Sequence, residues 1–108
     1  MITFEELNLK KESMATVKAK YLGGLRVECT HLQSGTTIIT DAPTDNNGKG
    51  EAFSPTDLCS TSLAACAMTI MGIYAQNNGI DLTGTDIEIT KKMAAEPRRI
   101  AEIDVIFN

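Results

Sequence analysis

The residue of this chain best suited to chemistry is Cys66, which lies inside a predicted helix among small and apolar residues. A cysteine acts as a nucleophile only as its thiolate, so a reactive Cys66 would need a nearby cation. Free cysteines with apolar neighbours commonly serve as small hydrophobic packing residues instead. The residue types alone therefore favour packing, with a protected reactive thiol as the alternative.

Arg26 is the cation best placed to stabilise such a thiolate. It follows Gly23-Gly24-Leu25 on the strand face opposite the apolar one. The alternative is a solvated arginine that pairs with Glu28, and the residues alone favour that alternative. Arg98 and Arg99 are also cationic, but their position beside a turn indicates that they face solvent.

Three further polar residues have competing interpretations. Asp57 could orient an arginine, although its position three residues after Ser54 suffices to explain it as part of a helix cap. Thr56, beside Asp57, carries only a hydroxyl group of low reactivity. His31 continues the face of Cys29 and could be a core-edge histidine, a metal ligand or a proton carrier, of which the first is favoured.

Neither a metal site nor a cofactor site is predicted. Cys29, His31, Cys59 and Cys66 are ligand types that suit zinc, but their spacing is unlike that of a zinc knuckle. The single histidine has no Gly-x-Ser-x-Gly partner for a serine triad. The segment Gly48-Lys49-Gly50 lacks the rest of a phosphate loop.

The composition is that of one ordinary globular domain of 108 residues with a net charge of −4. No Lys/Arg run is present, so the electrostatic footprint of a nucleic-acid-binding protein is missing. No apolar stretch approaches the length of a membrane span, and the acidic, mixed N-terminus is unlike a signal peptide. We therefore expect a cytoplasmic protein that binds neither nucleic acid nor membrane.

The three cysteines do not form the pattern of a disulfide framework. Cys59 and Cys66 are two turns apart on one predicted helix, which separates them by roughly 10 Å. That distance is too long for a disulfide within the helix. Free thiols in a reducing compartment fit this pattern best.

The elements that must position these residues begin with an antiparallel meander. Alternation of apolar and polar residues predicts strands over residues 14–22 and 25–32, and a third short strand over 36–40. Gly23-Gly24 and Ser34-Gly35 are typical of the turns between them. The first strand is predicted to be half-buried through Ala15, Val17, Ala19 and Tyr21.

A long loop and a capped helix follow the meander. Residues 41–53 are dense in turn formers, which indicates a lid, a site wall or a mere connection. Ser54 and Pro55 predict a helix start, and the helix should run to about Gln76 because Asn77-Asn78-Gly79 supplies a stop. Its circumference carries little charge, which predicts burial on most sides, in a core or against another chain.

Two further strands complete the chain. Residues 85–93 and 101–107 alternate in the same way, with a turn at Glu96-Pro97 between them. Residues 1–13 are predicted to be an N-terminal extension of the single domain that the 108 residues form.

Several segments together resemble the OsmC/Ohr superfamily of osmotically inducible and organic hydroperoxide resistance proteins, and its OsmC-like branch in particular. The specific part is Phe53-Ser-Pro-Thr-Asp-Leu58 followed by Leu63-Ala-Ala-Cys66. The remaining matching segments are Tyr21-Leu-Gly-Gly-Leu-Arg26, Thr30-His-Leu-Gln-Ser-Gly35, Thr40-Asp-Ala-Pro43 and Pro97-Arg-Arg-Ile100. The resemblance extends over nearly everything from residue 15 onward.

The resemblance implies an α+β fold in which an antiparallel sheet wraps around a long central helix in an intertwined homodimer. It also implies a thiol-dependent peroxidase that reduces organic hydroperoxides in oxidative stress defence, with a dithiol or lipoylated protein as reductant. Cys66 matches the peroxidatic cysteine, and Arg26 matches the arginine that stabilises its thiolate.

Two features depart from the family pattern. The glutamate that fixes the arginine in Ohr proteins falls at Thr56, with Asp57 adjacent as a partial substitute. The family's resolving cysteine belongs to a later helix. The resemblance therefore implies either that the sequence lacks the C-terminal helix and last strand of the family domain, or that the protein does not form the family's disulfide. The alternative function is a non-catalytic OsmC-like dimer, or a small-molecule binding protein, in which Cys66 is structural.

Overall fold

The computed structural model describes residues 1–4 and 15–108. The chain divides into two compact units, Met1–Ser54 and Pro55–Asn108, and each is described by itself. The predicted N-terminal extension falls mostly outside the described residues. The assignment of one domain stays a prediction.

The first unit contains the predicted antiparallel meander. Its strands are β1 (Val17–Gly23), β2 (Arg26–His31) and β3 (Thr37–Asp41), in the order β1-β2-β3. The strands pair in this order because short turns connect each one to its antiparallel neighbour. All three strands lie close to the ranges that alternation predicted, with ends shifted by one to three residues.

The turn between β1 and β2 lies one residue later than predicted. Gly23 pairs with Arg26, so Gly24 and Leu25 form the two-residue turn. Both turn residues have positive φ angles, as a primed turn requires, and Leu25 adopts φ 63° without being a glycine. The prediction that Leu25 belongs to the strand is therefore wrong, and Arg26 is the first residue of β2.

The predicted burial of β1 is not found in the chain by itself. Its residues are exposed along almost the whole strand, including Val17 and Tyr21. Alternation correctly located the strand, because the period of two depends on local geometry. Burial depends on a second layer of structure, which a strand pattern does not supply.

The second unit has one long helix packed against an antiparallel pair of strands. The helix α1 (Pro55–Asn77) contacts both β4 (Ile87–Ala94) and β5 (Arg99–Phe107). The α+β class is therefore confirmed, with a single long helix and antiparallel sheets in the part of the chain that the structure describes. The sheet of this unit has two strands, β4-β5.

Both ends of α1 agree with the predicted signals. Pro55 is the first helical residue, and an acidic residue, Asp57, stands in the first turn, where the helix dipole favours it. At the other end Gly79 has φ 67°, and the N–H of Ile80 donates to the carbonyl of Ala75 at 2.8 Å. This left-handed glycine ends the helix by satisfying a free carbonyl.

The burial of α1 differs from the prediction. Ser60, Ala64 and Ala75 are buried, but Leu63, Cys66, Ile70 and Ile73 are exposed. We refer to these four exposed residues as the Cys66 stripe. Burial of most sides of α1 in a core is therefore not found in the chain by itself, and burial against another chain stays a prediction.

The helix α1 is also long and apolar enough to cross a membrane, judged by length and composition alone. This contradicts the expectation that no apolar stretch reaches that length. Core helices of soluble proteins meet the same criterion, so the finding is weak evidence for a membrane span.

Candidate functional site

Arg26 lies at the start of β2, directly opposite Asp41 at the end of β3. Its Nη2 atom donates to Asp41 Oδ2 at 3.3 Å and to Glu51 Oε2 at 2.9 Å. Both contacts are ion pairs, and the arginine side chain remains 34% exposed. The pKa of Arg26 is raised, first by the hydrogen bond to Glu51 and then by Asp41.

Asp41 is a carboxylate with no solvent exposure. Its Oδ2 accepts the backbone N–H of Glu51 at 3.0 Å as well as the guanidinium of Arg26. The pKa of Asp41 is lowered mainly by this backbone N–H and also by Arg26, which together outweigh the opposing effect of burial. Its Oδ1 is buried and has no hydrogen-bond partner among the described residues.

The loop between β3 and α1 delivers Glu51 to this pair. The N–H of Asp41 donates to the carbonyl of Phe53 at 3.0 Å, which closes the loop at its base. Gly48 packs so closely on the backbone of Ala42 that a Cβ at position 48 would overlap the Ala42 carbonyl. The segment interpreted as a lid, a wall or a connection is therefore a folded loop that carries an acidic partner of Arg26.

The pairing of Arg26 with Glu28 is wrong. The ion pairs of Arg26 are formed with Asp41 and Glu51, which are 15 and 25 residues away in the sequence. Neither acid was singled out as a site residue from the sequence. Asp41 does lie in the motif Thr40-Asp-Ala-Pro43, and its place at the end of a strand that neighbours β2 was the available signal.

Thr56 and Asp57 are held by a second cation, Lys91 on β4. Lys91 Nζ donates to Thr56 Oγ1 at 2.6 Å and forms an ion pair with Asp57 Oδ1 at 2.8 Å. Its side chain is only 19% exposed. This cluster connects the first turn of α1 to the neighbouring strand.

Lys91 is a residue that sequence reasoning missed. It occupies the strand face of Ile87, Ile89 and Met93, which is the less exposed face of β4. A lysine inside an apolar alternation is a signal that a buried acidic or polar partner is present. That signal could have connected Lys91 to the polar start of α1.

Cys66 lies on the exposed face of α1, and Cys59 is exposed on the same helix. Cys29 is half-buried on β2, and all three cysteines are free. Cys66 therefore is not an enclosed packing residue within the chain by itself. Arg26 belongs to the first unit, and Cys66, Thr56 and Asp57 belong to the second.

His31 has a local partner at the turn after β2. Its Nδ1 lies 2.6 Å from Ser34 Oγ, which also accepts the N–H of Thr36 at 3.2 Å. Among the described residues, no group of three or more His, Cys, Asp or Glu side chains could hold a metal ion.

An open groove with a volume of about 470 Å³ runs along α1 in the second unit. Its floor is formed by small and apolar residues of the helix, and its wall by the segment that leads to β4. The lining includes Ala65, Met68, Gly72, Ile80, Leu82 and Ile87. Sequence reasoning did not predict this groove, because its two sides are separate segments that only the folded chain brings together.

Comparisons with known proteins find one family model and a related crystal structure. A family model described as OsmC-like protein matches residues 48–108. A crystal structure of a Psychrobacter arcticus 273-4 protein, assigned to osmotic stress induction and the detoxification response, is 57% identical with a TM-score of 0.85. The match covers 87% of this chain and 69% of that chain. No curated protein matches the chain.

Proposed function

The chain belongs to the OsmC-like protein family, and we propose that it is a thiol-dependent peroxidase that reduces organic hydroperoxides in the cytoplasm. The observation that carries the proposal is Cys66, a free thiol on the exposed face of α1. It lies within the segment that the family model matches. The detoxification role assigned to the Psychrobacter protein supports the same reaction class.

In the proposed reaction, the Cys66 thiolate attacks one oxygen of the hydroperoxide. An S–O bond forms, the O–O bond breaks, and the leaving alkoxide takes a proton to become an alcohol. The sulfur is oxidised by two electrons to a sulfenic acid, and the peroxide is reduced by two electrons. Arg26 is the proposed cation that favours the thiolate.

A dithiol returns the sulfenic acid to the thiol. Its first sulfur forms a mixed disulfide with Cys66 and releases water, and its second sulfur displaces Cys66 and leaves the dithiol as a disulfide. We propose an external dithiol, either a small molecule or a lipoylated protein. Cys59 is not a suitable resolving residue within the helix, because it lies roughly 10 Å from Cys66 along α1.

We also propose that the active form is a homodimer. The Cys66 stripe is exposed, and its members are spaced three and four residues apart, as at a helix–helix contact. Large apolar surfaces of this kind mark association sites. A second copy of the chain would cover the stripe and create an apolar environment for an organic peroxide beside Cys66.

The test is the consumption of tert-butyl hydroperoxide with dithiothreitol or dihydrolipoamide as reductant. We expect Cys66→Ser to reduce the rate to background, since the nucleophile is removed. The matched control, Cys59→Ser, removes an exposed thiol of the same helix and should retain the rate. Equal rates in wild type and Cys66→Ser would exclude the peroxidase reaction.

The second candidate function is a non-catalytic small-molecule binding protein, which the groove beside α1 favours. In that case Cys66 would be an ordinary thiol. Its alkylation by iodoacetamide would then follow a midpoint near pH 8.5, the usual pKa of cysteine. A midpoint well below that value supports the peroxidase instead.

A further inference from the structure

We propose that Asp41 is the residue that positions the Arg26 guanidinium, and that Glu51 is a secondary partner whose contribution is smaller. The inference rests on the proposed function, in which Arg26 stabilises the Cys66 thiolate. In the Ohr pattern this positioning role belongs to a glutamate at the place of Thr56. In this chain Thr56 accepts a hydrogen bond from Lys91.

The backbone fixes the Asp41 carboxylate relative to Arg26. The two residues are cross-strand partners in the β2–β3 register, so their Cα atoms are held side by side. The backbone N–H of Asp41 donates to the carbonyl of Phe53, and the Oδ2 atom of Asp41 accepts the backbone N–H of Glu51. The backbone of Asp41 is therefore fixed by Phe53, and its carboxylate is fixed by the N–H of Glu51.

The burial of Asp41 indicates a role beyond stability. A carboxylate without solvent exposure is costly unless it is fully hydrogen-bonded, yet Oδ1 has no partner within the part of the chain that the structure describes. An apolar or neutral residue would avoid that cost. A fixed negative charge beside Arg26 is the function that this carboxylate can supply.

The contacts of Arg26 leave donors available. Both ion pairs use Nη2, so the N–H groups of Nε and Nη1 form no hydrogen bond within residues 1–4 and 15–108. A guanidinium has five N–H donors in a fixed plane, so holding one nitrogen sets the direction of the others. Asp41 thus sets the direction of the remaining N–H donors of Arg26.

Glu51 contributes less because it is exposed. Its side chain is 61% exposed, whereas that of Asp41 is fully buried. An exposed ion pair is weak and is screened by salt. The Glu51 contact is the shorter, 2.9 Å against 3.3 Å, but we expect the position of Arg26 to depend more on Asp41, because the Asp41 carboxylate is buried and held by a backbone N–H.

The experiment measures the rate of Cys66 alkylation against pH, followed by mass spectrometry of the Cys66 peptide. For Asp41→Asn we expect the midpoint to rise by about one pH unit and the rate at pH 7 to fall roughly tenfold. Glu51→Gln should shift the midpoint less. Glu28→Gln is the matched control, since it removes one negative charge two residues from Arg26 without breaking one of its ion pairs.

The sign of the shift separates positioning from charge. Removing a negative charge near Arg26 would by itself favour the thiolate and lower the midpoint. Loss of the arginine's orientation raises it. An unchanged or lowered midpoint in folded Asp41→Asn would overturn the inference.

Arg26→Lys tests the same inference while the carboxylate of Asp41 is kept. Lysine keeps the charge but lacks the planar fork, so we expect the same upward shift of the midpoint. A wild-type midpoint in Arg26→Lys would overturn the positioning role. Arg26→Gln tests the proposed function separately: if it leaves the midpoint unchanged, Arg26 does not stabilise the thiolate, and that failure does not depend on Asp41.

Discussion

At the scale of single residues, two charged side chains with low exposure, Asp41 and Lys91, belong to the two polar clusters described above. Asp41 and Lys91 are both withdrawn from solvent, and each is paired with a residue from another element. Buried charges of this kind are retained only where partners compensate for lost hydration. Their partners, Arg26 and the first turn of α1, are therefore held in defined positions.

The lowered pKa of Asp41 predicts how the stability of the protein depends on pH. The folded state binds the Asp41 proton more weakly than the unfolded state, whose carboxyl titrates near its ordinary value of about 3.9. The stabilisation is therefore present above that pH and is lost as pH falls through the lower folded-state pKa. We expect the difference in Tm between wild type and Asp41→Asn to be constant above about pH 5 and to shrink below about pH 4.

Thermal unfolding followed by circular dichroism between pH 3 and 7 measures this difference. Glu28→Gln serves as the control, because it also removes one carboxylate from the same three-stranded sheet. A Tm difference that stays constant down to pH 3 would show that Asp41 has an ordinary pKa.

At the scale of elements, the loop between β3 and α1 depends on Gly48. Its closeness to the Ala42 carbonyl leaves no space for a side chain, although its backbone conformation is not left-handed. The reason for glycine here is therefore a close approach of two backbone segments. The loop in turn brings Glu51 to Arg26.

Gly48→Ala should destabilise the protein by about 1–3 kcal/mol, because an overpacked contact forces the backbone to move. The matched control is Gly72→Ala in α1, where an added Cβ meets no atom within 4 Å. That change should cause no loss, since alanine favours a helix interior by up to about 1 kcal/mol over glycine. Urea unfolding of both variants is the measurement, and equal stability in the two would contradict the overlap at Gly48.

At the scale of the whole molecule, the single chain exposes many large apolar side chains to solvent. They include members of the Cys66 stripe on α1 and residues of β1, and only Ala64 and Ala75 form the buried apolar core of the described chain. A chain of 108 residues needs more buried apolar surface than this to be stable. The proposed homodimer would supply that surface.

Ile70→Glu should therefore weaken or abolish the dimer, because Ile70 is 63% exposed in the single chain and lies within the Cys66 stripe. A buried unpaired carboxylate at a helix contact opposes association. Leu32→Glu, at an exposed apolar position in the turn after β2, is the control and should remain dimeric. Sedimentation gives the mass, and a wild-type protein at the single-chain mass of 11.6 kDa would rule out the dimer.

The sequence by itself determined the elements and the candidate nucleophile. Strand alternation, the Ser54-Pro55 start and the Gly79 stop are local signals, because the periods of strands and helices arise from neighbouring residues. They located β1 to β5 and α1 within a few residues, and the motif around Cys66 identified the family. These conclusions needed no contact between distant parts of the chain.

Only the tertiary structure decided which charged residues meet. Arg26 lies beside Asp41 because of the β2–β3 register, and it reaches Glu51, 25 residues away in the sequence, because the loop after β3 folds back. Lys91 meets Asp57 because α1 packs on β4. Ion pairing depends on distances of a few ångströms between side chains, and a sequence pattern does not contain those distances.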